Sequence, residues 1–289
     1  MASNDRIWKN GTSSRHCEYK YCERKHVRLT DIKEDFNNDR YLGKKNIPSY
    51  PDCIFNVANV CHVTDKRGLH GIFEEEGFKG HDNFLWWSLS VTDDDIACAK
   101  TNDFDSPQKN LKKFTTSPAF RSESRYGNFR FTFNLKELLR IYSKEYCHRT
   151  APILRVLDTR LYKQEIVYSV LVHPRYMTHY RKYPRLPFDD KHLCGYSQGH
   201  MSWCCQSPSD NYKHSQEVND EEGEYFRWDH VVVAFHMKRG WVLPVNHSRL
   251  FEKLRACEVD SVNLLREPQK KMSLREAEAE IETLKNIYF

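Results

Sequence analysis

The segment Glu165 to His173, EIVYSVLVH, restricts the fold more than any other part of the chain. Period-two alternation puts Glu165, Val167, Ser169, Leu171 and His173 on one face and Ile166, Tyr168, Val170 and Val172 on the other. Both faces are largely apolar, so this reads as a central strand, buried on both sides. Such a strand needs a sizeable core, and 39% hydrophobic residues, 13% aromatic, over 289 residues suffice for one. The 29% charged residues and the lack of any apolar run of about 18 residues exclude a membrane-spanning protein.

Other elements follow from the same periodicities. Val57 to Val63 is rich in β-branched residues and reads as a strand, with Ala58, Val60, His62 and Thr64 on one face. Asp65 is placed to cap a short helix in which Leu69, Ile72 and Phe73 recur, and Gly77 supplies the left-handed residue that ends it. Phe84 to Val91 returns as a strand, with Trp86, Ser88 and Ser90 on one face and Leu85, Trp87, Leu89 and Val91 on the other. Phe129 to Leu135 alternates as a strand, and Leu135 to Tyr146 gathers Leu135, Leu138, Leu139 and Tyr142 on one helical face. Ile153 to Asp158 and Trp228 to His236 are apolar strands, and Gly240 to Val245 is placed to pair with the latter.

Between these, Thr92 to Pro118 reads as a surface loop with a helical turn over Ala97 to Lys100. Pro174 to Arg227 is a long irregular insertion, aromatic and basic at first and acidic near Asp220. Ser273 and Glu276 form a capping box that opens a terminal helix carrying Leu274, Ala277, Ile281, Leu284 and Tyr288. The expected organisation is an arm over 1 to 51, a domain over 52 to 245 with the insertion at 174 to 227, and a helical tail over 246 to 289. The stiff run Ile47-Pro-Ser-Tyr-Pro51 links arm to domain.

Net charge is +5, and residues 1 to 50 supply most of it, with eleven Lys and Arg against seven Asp and Glu. Within the arm, Lys20, Arg24, Lys25 and Arg28 interleave with Tyr19 and Tyr21, a pattern suited to RNA. His16, Cys17, Cys22 and His26 are spaced to surround one zinc ion. Cys17, Cys22 and His26 resemble the back half of an RNA-binding finger, but Trp8, Lys9 and Asn10 stand where its upstream cysteine belongs. The competing reading is a polar arm with ordinary cysteines and histidines. The ten cysteines are irregularly spaced, and residues 1 to 16 carry no apolar segment after their charges. Reduced thiols and a cytoplasmic or nuclear location are expected.

The order strand, His62-Val63-Thr64, short helix with Ile72 and Gly77, second strand resembles the amino-terminal half of the ADP-ribosyltransferase fold of the His-Tyr-Glu type. The interval from Ile72 to Gly77 is one residue longer than the family's. A looser likeness runs from Glu165 to about Phe235. It implies an α+β fold of two packed antiparallel sheets with short helices and a carboxyl-terminal helix. It also implies NAD⁺ as cofactor and mono-ADP-ribosyl transfer to a protein or nucleic acid. His62 and Thr64 would then hold a ribose, Tyr126 would stack on nicotinamide, and Ser88 and Ser90 would line the pocket. Glu165 would be the catalytic carboxylate, favouring the positive charge that develops as nicotinamide leaves. Thr115-Thr-Ser117 resembles an element of the toxin-type subgroup, but Lys163 stands where that subgroup has a second glutamate, so that triad is excluded. The alternative is a catalytically silent interaction protein on the same scaffold, similar to an innate antiviral family expanded in fish, that binds RNA or protein through its arm and insertion. Acceptor and oligomeric state stay open.

Overall fold

The computed structural model describes residues 9–12, 18–27, 52–101, 117, 119–120, 122–124, 126–162, 165–188, 192–206, 228–259 and 272–289. The strands, in chain order, begin with β1 (Lys9–Thr12), β2 (Glu18–Glu23), β3 (Asp52–Val57), β4 (Asn59–Thr64), β5 (Gly77–Lys79), β6 (Phe84–Ser90), β7 (Lys100–Thr101) and β8 (Phe129–Asn134). They continue with β9 (Ile153–Tyr162), β10 (Glu165–His173), β11 (Cys194–Ser197), β12 (His200–Gln206), β13 (Trp228–His236), β14 (Val242–Pro244) and β15 (Leu254–Ala256). The helices are α1 (Lys66–Glu74), α2 (Asp93–Ala97), α3 (Leu135–Tyr146), α4 (His247–Lys253) and α5 (Leu274–Tyr288), with a 3₁₀ turn at Thr178–Lys182. None of the helices among the described residues is long and apolar enough to cross a membrane.

The class is α+β, and sheet dominates it. One sheet has nine strands in the order β1-β2-β9-β10-β13-β6-β4-β8-β15, and a second has four in the order β11-β12-β3-β7. β10 lies inside the larger sheet between β9 and β13, as its two apolar faces require. The pair β10 and β13 is parallel, so the larger sheet is mixed and not antiparallel throughout. Parallel neighbours need a crossover of a dozen or more residues, and the long chain between these two strands supplies it.

One face of the large sheet holds the core. Val60, Trp87, Leu89, Phe129, Phe131, Phe133, Tyr168, Val170, Val231, Val233 and Phe235 are all buried there. Phe78 locks the centre, its ring 5.0 Å from Trp87, 5.2 Å from Phe131 and 5.9 Å from Phe133. α1 adds Leu69, Ile72 and Phe73, and α3 adds Tyr142, whose ring lies 5.3 Å from Phe235. The four-stranded sheet joins the same cluster through Phe55, Val57, Met201 and Trp203. Burying a ring of this size is worth roughly 1.5 to 3 kcal/mol, so the aromatic cluster dominates the balance against chain entropy.

Local chemistry sets the element ends. Asp65 accepts the amide of Gly68 at 2.8 Å, Asn134 caps α3 through the amide of Lys136 at 3.0 Å, and Ser273 forms its capping box with Glu276. Several expected boundaries differ. The strand read over Val57 to Val63 is two strands in different sheets, broken at Ala58, because β3 pairs with β12 while β4 pairs with β6 and β8. The left-handed residue after α1 is Glu76 at φ 47°, and Gly77 opens β5 instead. The helical turn expected over 97 to 100 lies earlier, over Asp93–Ala97, where Thr92 and Asp95 close a capping box. β14 pairs with β5 and not with the strand Trp228–His236. Leu274 stays 38% exposed, while Ala277, Ile281 and Leu284 reach the core.

Both chain ends are tied to this frame. β2 pairs with β9, β15 pairs with β8, and Glu280 of α5 binds Lys66 at 2.7 Å and His70 at 2.6 Å on α1. Gly77 provides a sharp check of the β5–β14 contact, because a Cβ there would stand 2.2 Å from the carbonyl oxygen of Leu243 at φ 157°. Gly77→Ala is expected to lower the unfolding free energy in urea by on the order of 2 to 3 kcal/mol. A change under about 0.5 kcal/mol, the range of ordinary surface substitutions, would mean that the two strands are not held that close.

Candidate functional site

His62 pairs with Phe131 across β4 and β8 and turns its ring into the core, 5.4 Å from both Phe78 and Trp87. Its Nδ1–H donates to the carbonyl of Trp86 at 2.9 Å, and burial pushes its pKa down. Thr64 lies two residues on, and Gly127 closes against it so tightly that a Cβ there would stand 2.1 Å from the Thr64 carbonyl oxygen. That contact carries the neighbouring Tyr126 to the same end of β4, with its side chain 44% exposed. Ser88 and Ser90 pair with Cys61 and Asn59, so they stand on the opposite face of the sheet from His62.

Glu165 starts β10 opposite Trp228. Its position alternates with Ser169, which is in register with Val232 and through it with Ser88. The register of His62 runs instead through Trp87, Val233 and Val170. Five residues along a strand and three strand spacings across put the two backbone positions about 20 Å apart, on opposite faces. The sheet therefore does not bring His62 and Glu165 to one pocket. Cys22 of the expected zinc set is buried in the core, and the His26 ring meets that of His192 at 5.0 Å. His16 and Cys17 lie outside the described residues, as do Thr115 and Thr116. Among the described residues no group of three or more His, Cys, Asp or Glu converges as a metal would need.

What the fold does assemble lies along the edge of β9. β2 pairs with the second half of that edge, Lys20 to Leu161 through Glu23 to Asp158. The first half is taken by the segment after the 3₁₀ turn, where Val156 N–H donates to Pro184 at 2.9 Å and Leu186 N–H to Leu154 at 3.0 Å. The two segments meet at a bulge around Leu157, whose carbonyl accepts Arg24 N–H at 3.1 Å. Arg24 there adopts φ 56° and lays its guanidinium 4.6 Å from the ring of Tyr183. On the same side Arg160 stands 5.4 Å from the ring of Tyr19 and Lys9 5.9 Å from Tyr21, while Lys182 flanks Tyr183 at 5.9 Å. Glu23 and Asp158 are the carboxylates paired within this strip, bound to Lys9, Arg24 and Arg160. The result is a row of half-buried tyrosines flanked by largely exposed cations, drawn from two distant parts of the chain and joined at Arg24.

Beside Tyr183 the row turns inward. Arg155, 7% exposed, donates Nε–H to His173 Nε2 at 2.9 Å and Nη1–H to the Tyr183 carbonyl. His173 can accept because its Nδ1–H is spent on Pro174 at 2.8 Å, which fixes the neutral tautomer. Burial, with Arg155, His179 and His236 nearby, holds His173 down at about 4. His236, 2.7 Å from the Tyr180 hydroxyl through Nδ1, is likewise held down at about 4 by burial and by the charges of His179 and Lys238. Burial raises Tyr180 to about 12, so its hydroxyl is the donor in that bond.

Sequence reasoning passed over this cluster, although two signals were present. Arg155 is a lone cation in the apolar run ILRVLD, and residues 174 to 187 hold four Lys and Arg with no acid. A separate open groove of about 800 Å³ runs between α3 and α4 past Lys136, Glu137, Asn246 and Arg249. Its Arg249 is already held by Glu137 at 2.6 and 2.8 Å and by Glu252, which leaves that cation little to offer a ligand. Comparison with protein-family models, with curated proteins and with solved structures finds no match to this chain.

The two depressed histidines give a pH dependence of known sign. Both folded-state values lie below the ordinary 6.5, so the folded state takes up fewer protons than the unfolded chain as pH falls. Stability is intact above about pH 6.5 and drains toward pH 4, by about 1.4 kcal/mol per pH unit for each histidine. Urea unfolding of the wild type and of His173→Gln/His236→Gln at steps from pH 7 to pH 4.5 should show the wild type losing stability more steeply. Parallel curves would contradict the buried neutral pair.

Proposed function

We propose that this chain is a binding module for single-stranded RNA, working without catalysis through the tyrosine and cation strip. One observation carries this reading: the arm and the start of the insertion, far apart in sequence, share the β9 edge and set Tyr19, Tyr21 and Tyr183 in a row with Lys9, Arg24, Arg160 and Lys182. Tyrosine faces accept bases of any sequence, each stacked base being worth about 1 to 3 kcal/mol, and the cations track the phosphates. The arrangement suits a flexible strand better than a duplex, whose bases are already stacked and turned inward.

The competing reading is NAD⁺-dependent mono-ADP-ribosyl transfer, with Glu165 as the carboxylate and His62, Thr64, Tyr126, Ser88 and Ser90 around the cofactor. It is supported by the succession β4, α1, β6 with His62 near the end of β4, and weakened by the separation of His62 from Glu165 across the sheet.

Fluorescence anisotropy with a labelled single-stranded RNA of about twelve nucleotides decides between them. With the net two positive charges that Glu23 and Asp158 leave on the strip, affinity should fall roughly sevenfold between 50 and 200 mM salt. Tyr19→Ala and Tyr183→Ala should each weaken binding by roughly tenfold, and addition of NAD⁺ should change nothing. Binding that ignores salt and both tyrosines would sink the RNA reading. Transfer of label from NAD⁺ that Glu165→Gln abolishes would establish the enzyme in its place.

A further inference from the structure

The geometry points to a site for a phosphate monoester at one end of a nucleic-acid strand, built by Arg155, Arg181 and Arg185 where the tyrosine strip runs out; this rests on the RNA reading above. Arg155 and Arg185 form a bridge across the β9 edge, so their side chains leave the backbone side by side on the same face. Like charges directly opposite one another on adjacent strands are destabilising unless a counter-charge sits between them. Among the described residues Arg155, Arg181 and Arg185 have no carboxylate partner. Arg181 and Arg185 stand near enough to add repulsion to Arg155, whose pKa is lowered first by burial and then by these two.

Burying a guanidinium without a carboxylate is costly, and the local chemistry shows how it is tolerated. Arg155 is fixed from behind by neutral acceptors, His173 Nε2 and the Tyr183 carbonyl. They hold the guanidinium in place while leaving its charge uncompensated, and Nη2 makes no hydrogen bond among the described residues. An oriented fork of N–H donors with its charge intact is what a phosphate receives best, since Arg matches two phosphate oxygens at once. Arg155 with Arg185 paired across the strand edge, and Arg181 close enough to act on the same charge, suit a dianionic monoester better than the single charge of an internal phosphodiester. The position agrees, because the neighbouring Tyr183 closes the strip on which the last base would stack. The segment around the site, Arg175 to Arg185, carries Arg175, Lys182 and His179 in addition and no acid, so nothing on it competes for the arginines.

The test uses the full chain and one RNA sequence prepared with a 5′-phosphate, a 3′-phosphate or hydroxyls at both ends. One phosphorylated form should bind about tenfold tighter than the hydroxyl form, and which one reports the polarity of the strand. In Arg181→Gln/Arg185→Gln, at exposed positions where folding is not at risk, that preference should vanish. Equal binding of all three strands by the wild type overturns the inference and leaves the strip reading standing. A preference that survives in the double variant also overturns it, since the arginines would not be its source. If the wild type binds no strand, the strip reading fails, and pyrophosphate decides the site: a rise in melting temperature that the double variant lacks supports it, and no rise overturns it.

Discussion

A strand edge with unpaired N–H and C=O groups must be covered, and how β9 meets that demand shapes the tyrosine and cation strip proposed to bind RNA. β9 is ten residues long and joins β10 along one side. Its other side is too long for β2 alone, which reaches only from Lys20 opposite Leu161 to Glu23 opposite Asp158 in the half beyond Leu157. The remainder is closed by residues 184 to 186, which belong to the insertion after β10. The bulge at Leu157 lets the two covers meet without colliding, since it takes one residue out of the ladder at the junction. Arg24 and Tyr183 are thrown together there as a consequence of edge closure.

The electrostatics follow from the same closure. Residues 184 to 186 bring Arg185 opposite Arg155, and the 3₁₀ turn before them lays Tyr180 over His236 and His173. Had either histidine been charged, it would add to a cluster that already holds several cations. Burial keeps both neutral, and this makes His173 an acceptor able to hold Arg155. His173 thus fixes the arginine's position through a neutral acceptor, and the arginine's charge is left without a carboxylate.

Legibility from sequence divides along the range of the interactions involved. β10 was readable because both of its faces are apolar, and α3 and the cap of α5 because a helix carries its own periodicity and capping residues. The break at Ala58 was not, since Val57 to Val63 has the same β-branched character on both sides of the point where the chain changes sheets. The candidate pair His62 and Glu165 shows the limit most clearly. Each stands at the strand end that the motif requires, yet which face it occupies depends on register carried across β6 and β13, and no local spacing encodes that. The β9 edge is hidden for a similar reason: its two covers are more than 150 residues apart in the chain and are joined by backbone hydrogen bonds, which leave no mark on side-chain pattern.

If the proposed RNA binding holds, arm and insertion present one surface to a single strand. Photo-crosslinking of the intact chain to an RNA containing 4-thiouridine, with the adducts mapped by mass spectrometry, tests it most directly. Adducts are expected both on Tyr19 or Tyr21 and on Tyr183, with saturation of both sets at the same RNA concentration. Adducts confined to the arm, or two sets that saturate independently, would contradict it.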